Sequence, residues 1–374
     1  MKRKIWGILA VPFALMLAAS QSGSAQVQTI VPPVVPGAKP VTVEHIKIHG
    51  KHLEGNLEGD AVDRDVFVFL PPSYQKDKRR RYPVVYALHG YSIGAEQWTH
   101  EIHVPQTIEG AFAQGSKEMI VVLPDSKTVY GGSMYSQSQT TGDFEDFIAD
   151  DVVQYIDAHY RTIPNRLSRG LVGHSMGGYG ASRIGMKHPD VFGSLYIMSP
   201  CCMSARGTGG GGRPGAGARP GAVAAGPPPQ AESLEQQLES VKSPADAAGL
   251  SFMVRAQLAS AAAWSPDPKK PPLYLDLPFG DDAPYVLAKW AANAPLDFVD
   301  QYIGNLRQYT AISMDVGDED GLRFDTTKLH EILDSYGIKN GFEIYHGTHT
   351  SAVADRFQNH VIPFFSENLC FDCR

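Results

Sequence analysis

Cysteine is scarce, with four residues in a chain of 374. They stand as a vicinal pair, Cys201 and Cys202, and as a Cys-x-x-Cys near the end, Cys370 and Cys373. That spacing is a poor zinc signature and lacks thioredoxin-like surroundings, so neither a metal site nor a redox centre is expected from it. Positive charge is also short. The 33 Lys and Arg against 40 Asp and Glu leave a formal net charge of -7, with no basic patch of the kind nucleic acid requires. No internal repeat is apparent, and only one stretch at an end of the chain reads as an apolar run of membrane-like composition.

That stretch, Ile5 to Ala19, follows Lys2, Arg3 and Lys4 and precedes the small residues Ser22, Gly23, Ser24 and Ala25. Charge, apolar run and small-residue site in that order are the layout of a secretory signal over residues 1–25, cut after Ala25. The run is short for a membrane span and carries Pro12, so the expectation is a secreted or periplasmic protein with no membrane anchor after cleavage. Export makes disulfides possible, but four cysteines allow three pairings and the sequence does not choose among them.

The remainder divides by composition. Residues 26–40 hold Pro32, Pro33, Pro36 and Pro40 and read as an extended leader into one domain, 41–374. Alternation over Val41 to Ile48 and the run Asp65 to Leu70, stopped by Pro71 and Pro72, predict two antiparallel strands at a sheet edge. Tyr82 to Leu88 and Met119 to Leu123 are continuous apolar runs, the mark of strands covered on both faces. Helices are expected at Val104 to Ala113, at Phe144 to Tyr160, where apolar residues recur at helical spacing, and at Ser351 to Asn368. Further strands are expected at Phe192 to Met198, Thr310 to Val316 and Gly341 to Tyr345, with a helix around Thr326 to Tyr336. Strands alternating with helices in this way predict a mostly parallel central sheet flanked by helices. Two segments interrupt it. Residues 204–229 are Gly, Ala, Pro and Arg with almost no bulky apolar side chain and are expected to be disordered. Residues 230–305 are expected to form a cap, with helices at Ala231 to Val241, Ser251 to Trp264 and Pro284 to Ile303.

Chemistry concentrates at Gly173-His174-Ser175-Met176-Gly177, between a strand (Ser168 to Gly173) and a helix (from about Gly178 to His188). A serine on a sharp strand-to-helix turn points its hydroxyl outward from the sheet edge, which is the nucleophile elbow arrangement. A serine hydroxyl is a weak nucleophile near neutral pH and needs a base, itself oriented by an acid. In α/β-hydrolases both follow the serine, acid first. The loop after the Thr310 to Val316 strand offers Asp320, ahead of Asp318 and Glu319, and an EF-hand reading of it fails because Val316 and Thr327 stand where acids are needed. His349 follows the last strand, whereas His346 is closer to that strand and His330 and His360 fall within helices. A metal pair at His346 and His349 has no third ligand nearby. The backbone N–H groups of Met176 and of Tyr91, which follows His89-Gly90, are placed to form an oxyanion hole. Trp98 and Tyr135 are candidates to line the pocket.

Together the segments Val66 to Tyr74, Tyr82 to Gly90, Gly173 to Gly178, Gly317 to Asp320 and Gly347 to His349 resemble the putative esterase family of α/β-hydrolases, which includes feruloyl esterases, S-formylglutathione hydrolases, enterochelin esterases and mycolyltransferases. The resemblance implies an α/β-hydrolase fold and a serine carboxylesterase with no metal or organic cofactor, the family's acid and histidine motifs falling on Asp320 and His349 and its oxyanion position on Tyr91. The ester substrate is expected to be a small molecule or carbohydrate-linked, such as a feruloyl or acetyl ester. Acyl transfer on the same site, and a non-catalytic binding role on a hydrolase scaffold, are the alternatives. The insertion and the Cys201-Cys202 pair depart from the family pattern, so substrate preference does not carry over.

Overall fold

A computed structural model describes residues 27–204, 234–239 and 241–373. The expected export signal 1–25, and the Gly/Ala/Pro-rich segment apart from Ser204, lie outside the described residues.

The apolar run of Val84–Leu88 becomes a strand in the middle of an eight-stranded sheet. Its residues are divided between two cores. Val84, Tyr86 and Leu88 face one side, while Val85 and Ala87 face the other, as the two-residue period of a strand requires. Numbered along the chain, the strands are β1 Thr42–His49, β2 Asp63–Leu70, β3 Val84–Leu88, β4 Ile120–Pro124, β5 Arg169–His174, β6 Ser194–Met198, β7 Ala311–Gly317 and β8 Gly341–Tyr345. Their order across the sheet is β1-β2-β4-β3-β5-β6-β7-β8. β1 and β2 pair antiparallel, as do β2 and β4, and every pairing from β4 through to β8 is parallel. This is the α/β-hydrolase fold.

The longer helices are α1 Val104–Ala113, α2 Met176–Lys187, α3 Phe252–Trp264, α4 Ala283–Ala291 and α5 Arg323–Ser335, with composite helical runs at 144–159 and 353–368. Each composite run widens by a π turn, at Phe147–Val152 and at Phe357–Val361. In the second, Pro363 follows directly and has no N–H to give to the turn below it. The expected single helix from Pro284 to Ile303 is instead α4 followed by three short pieces. Pro295 opens the next piece at its first position, where the missing N–H costs nothing. The helix expected over Ala231 to Val241 is described only as Leu234–Glu239.

The leader does not hang free. Gln106 donates to the Pro32 carbonyl at 2.7 Å, the Ile30 N–H to Ser351 O at 2.8 Å and the Val41 N–H to Glu109 at 2.9 Å, so residues 27–41 are laid over α1 and the start of the last helical run. No helix of the described residues is long and apolar enough to cross a membrane.

Candidate active site

β5 delivers the chain to Ser175 with φ 60° and ψ -115°, a left-handed backbone that a serine adopts only when its surroundings impose it. They do so here by crowding. A side chain at Gly177 would overlap the Leu88 carbonyl of the neighbouring strand, so α2 can start at Met176 only because that position is glycine. The helix therefore begins two residues earlier than its pattern suggested. Ser175 is held on both sides: its N–H donates to Met198 O at 3.1 Å, and its carbonyl accepts from the Cys201 N–H at 3.1 Å.

The loops after β7 and β8 bring the other two groups. A side chain at Gly317 would overlap the Gly347 carbonyl, so the two loops approach backbone to backbone. His349 Nε2 lies 2.9 Å from Ser175 Oγ, and His349 Nδ1 lies 2.8 Å from Asp320 Oδ2. An ionised carboxylate only accepts, so the proton on the ring sits at Nδ1 and the lone pair at Nε2 faces the hydroxyl. Asp320 is buried, and its other oxygen accepts the Leu322 N–H at 2.9 Å. Burial works to raise its carboxyl, but the bond to His349 and the Leu322 N–H outweigh it and hold the group below the usual carboxylate range.

Asp318 and Glu319 are not brought to His349. Asp318 accepts from the Gly347 N–H at 2.9 Å and lies 3.2 Å from His346, while the Glu319 N–H donates to Gly347 O at 3.0 Å. They fasten the two loops together. His346 and His349 thus face different acids, and His330 and His360 are engaged elsewhere, with Asn340 and Arg356. Two groups of three ligating side chains occur among the described residues, His52 with Asp150 and Asp151, and Asp318 with Glu319 and His346; neither includes Ser175, Asp320 or His349.

Tyr91 follows the turn after β3. The buried His89 ring receives the Ser126 N–H on Nε2 at 2.8 Å and lies 2.8 Å from Gly90 O through Nδ1, so Nδ1 carries the proton and donates. This fixes the Gly90–Tyr91 peptide, whose carbonyl and N–H point in opposite directions. Burial keeps the His89 ring neutral by lowering its pKa. The Tyr91 phenol donates to Tyr130 O at 2.7 Å.

Above Ser175 lies an apolar chamber of about 390 Å³ whose walls include Met134, Cys201, Cys202, Phe252, Met253 and Trp290. A second hollow of about 200 Å³ opens on the other side of Ser175 and His349, toward Val27, Ile93 and Thr350. Tyr91 and Phe252 border both, their rings edge to face at 5.2 Å. Phe252 and Met253 open α3 and Trp290 lies in α4, so the segment between the insertion and β7 supplies the roof.

Neither expected pocket aromatic lies in that wall. Trp98 is fully buried and packs against the Phe357 ring at 6.0 Å, in the core beneath the last helical run. Tyr135 is fully buried behind the Tyr91 turn, its hydroxyl donating to His89 O at 3.1 Å. Met134 and Tyr135 both have positive φ, and the turn they make sends Met134 into the chamber and Tyr135 into the core. The sequence pattern gives no hint of Trp290. For Phe252 and Met253 the one sign was a pair of large apolar residues directly after Ser251, at the expected start of a helix.

An eight-stranded sheet of this order with its serine at the β5–α2 turn defines an α/β-hydrolase. The chain belongs to the putative esterase family, whose model it matches over residues 61–363. It is 29% identical over 136 residues to an endo-1,4-beta-xylanase/feruloyl esterase of Xylanibacter ruminicola, a match covering 35% of this chain and 19% of that protein. It is 29% identical over 140 residues to an esterase of Mycobacterium tuberculosis, covering 36% of this chain and 28% of that one. The chain thus spans less than a third of the length of these curated relatives. Among solved structures it resembles a ferulic acid esterase with TM-score 0.58 at 21% identity, over 88% of this chain and 99% of the other. A ferulic acid esterase from Anaeromyces mucronatus gives TM-score 0.51 at 19% identity, over 89% and 94%. At these identities the structural likeness speaks for the fold.

Proposed function

We propose that the protein is an exported serine carboxylesterase acting on esters of aromatic acids, of the feruloyl type, with Ser175 as nucleophile. The observation that carries the reading is the unbroken run of hydrogen-bond distances, 2.8 Å from Asp320 to His349 and 2.9 Å from His349 to Ser175, at the floor of an apolar chamber. His349 Nε2 takes the Ser175 proton as the oxygen attacks the ester carbonyl, and Asp320 stabilises the imidazolium that results. The N–H groups of Tyr91 and Met176 receive the oxyanion; Met176, as the first residue of α2, has no partner within the helix for its N–H. His349 then returns the proton to the departing alcohol. Water, deprotonated by the same ring, releases the acid and restores Ser175.

The apolar walls of the chamber suit the acyl group, and the names of the xylanase/feruloyl esterase relative and of the ferulic acid esterase structures support an aromatic one. The charged, apolar and small-residue stretches of 1–25 support export. The test is turnover of 4-nitrophenyl ferulate and 4-nitrophenyl acetate by the parent and by Ser175→Ala, with fluorophosphonate labelling alongside. Loss of both turnover and labelling in a folded variant is expected. Retained turnover removes Ser175 from the mechanism, and turnover of the acetate alone removes the aromatic acyl group. Preferential capture of the acyl group by an added sugar, over water, turns the reading to acyl transfer.

A further inference from the structure

The proposed esterase reaction gives no task to the Cys201-Cys202 pair, although both side chains line the chamber that holds Ser175 and His349. The turn after β6 puts them there. Ser199 and Cys202 have φ of 40° and 58°, so the chain doubles back over the serine turn, and the Cys201 N–H reaches Ser175 O at 3.1 Å. The two sulfurs lie 2.9 Å apart, closer than unbonded neighbours normally rest, yet both cysteines are free thiols. The other two cysteines, Cys370 and Cys373, are already joined to each other at the far end of the chain. Cys201 and Cys202 are half-buried, with access through the chamber.

We propose that Cys201 and Cys202 form a reversible oxidation site in the wall of the acyl chamber, closing into a vicinal disulfide by exchange with a small-molecule disulfide and thereby altering which acyl groups the chamber accepts. The second half of that statement rests on Ser175 being the nucleophile. In the first step the Cys202 thiolate attacks one sulfur of the small disulfide and expels the other half as a thiolate. In the second, Cys201 loses its proton and attacks Cys202 Sγ, expelling the remaining half. Two protein thiols are oxidised, one disulfide is reduced to two thiols, and the protons leave with them. The contact with Cys202, together with burial, raises the Cys201 thiol well above its usual range, which makes it the poorer initial nucleophile; its attack in the second step rests on its sulfur already lying 2.9 Å from Cys202 Sγ. Adjacent Cα atoms lie about 3.8 Å apart, below the roughly 4.4–6.8 Å that a relaxed disulfide spans. The closed ring is therefore strained and readily reduced, as reversible disulfides are. Closure ties down the turn that holds the Ser175 carbonyl and removes two thiols from the chamber wall.

The test equilibrates the full chain in buffers of graded reduced-to-oxidised glutathione ratio. The mass of the peptide carrying Cys201 and Cys202 is followed beside hydrolysis of 4-nitrophenyl ferulate and 4-nitrophenyl acetate. Loss of two hydrogens from that peptide within the glutathione range is expected, with a shift of at least about fivefold in the ferulate-to-acetate kcat/KM ratio. Cys370→Ser/Cys373→Ser should keep both responses, and Cys201→Ser/Cys202→Ser should lose both relative to its own reduced state. A pair that stays reduced throughout, stops at a glutathione adduct, or closes without moving the ratio overturns the proposal. Absent fluorophosphonate labelling of Ser175 under reducing conditions sinks the nucleophile assignment instead, and the peptide mass still decides whether the site exists.

Discussion

The ring of His174 lies 4.8 Å from that of His349, and its Nε2–H donates to the His349 backbone carbonyl at 2.9 Å. A carbonyl can only accept, so the His174 proton is at Nε2, and its Nδ1 has no partner among the described residues. Full burial, reinforced by the neighbouring His349, lowers the His174 pKa to about 3. A neutral His174 holds His349 in place without setting a second positive charge against the imidazolium that the proposed attack would form.

That burial has a signed consequence for stability. Between pH 6.5 and 3 the unfolded chain binds a proton at His174 that the folded chain refuses, so stability falls as pH drops through this window. His174→Gln keeps a donor but does not titrate. Urea unfolding at pH 7 and pH 4 should show the variant gaining about 3 kcal/mol on the parent over that interval. A parent-to-variant difference that is the same at both pH values would mean that His174 is not held neutral.

The two acids of the β7–β8 loops should separate by function. Asp320→Asn removes the group that fixes the His349 tautomer and is expected to lower kcat about ten-thousand-fold while the protein stays folded. Asp318→Asn loses an exposed tether to Gly347 and His346 and should change kcat/KM by roughly threefold at most. The reverse order, measured by steady-state kinetics on one ester, would transfer the acid's role to Asp318.

Glu58 is buried beside Asp60 beneath the loop that positions Tyr91. It accepts the Tyr130 N–H at 3.3 Å, Asp60 accepts the Val129 N–H at 3.1 Å, and Tyr130 O in turn receives the Tyr91 phenol. Burial and then the Asp60 charge raise the Glu58 carboxyl well above its usual range. The folded chain therefore keeps a proton that the unfolded chain releases above about pH 4.5, and the stability this contributes declines as pH rises. Glu58→Gln preserves the acceptor without titrating, so its melting temperature should rise against the parent between pH 5 and pH 8. Parallel melting curves across that range would rule out a protonated Glu58.

The parts of this fold that are local were readable. Val84–Leu88 and Ile120–Pro124 announce doubly covered strands by composition alone, and Gly173 to Gly177 announces its turn because Gly177 leaves no room for a side chain. Asp320 and His349 were legible because each follows a strand whose place in the order is fixed by topology. Pocket walls are not local in this sense. Whether residue 134 or residue 135 faces the chamber depends on the sign of two φ angles, and whether Trp98 or Phe252 reaches it depends on how helices pack. The break of the cap helix before Pro295 was visible in the sequence, as a proline that cannot continue a helix.

Phe252 offers the sharpest test of the cap. It is the first residue of α3, it is about half exposed at 48%, and its ring meets Tyr91 edge to face at 5.2 Å where the large chamber and the small hollow adjoin. Fully burying a phenylalanine contributes about 1.5–3 kcal/mol, and a half-exposed one about half of that. The aromatic pair itself adds about 0.5–1.5 kcal/mol. An aromatic acyl group lodged against Phe252 should recover contact of about 1 kcal/mol, while an acetyl group is too short to reach it. Phe252→Ala is therefore expected to raise KM for 4-nitrophenyl ferulate about fivefold and to leave KM for the acetate within about twofold. Equal changes for both esters would mean that Phe252 acts on the shape of the serine turn and not on the acyl group, and an unchanged ferulate KM would mean that the acyl group does not rest against Phe252 in either the chamber or the smaller hollow.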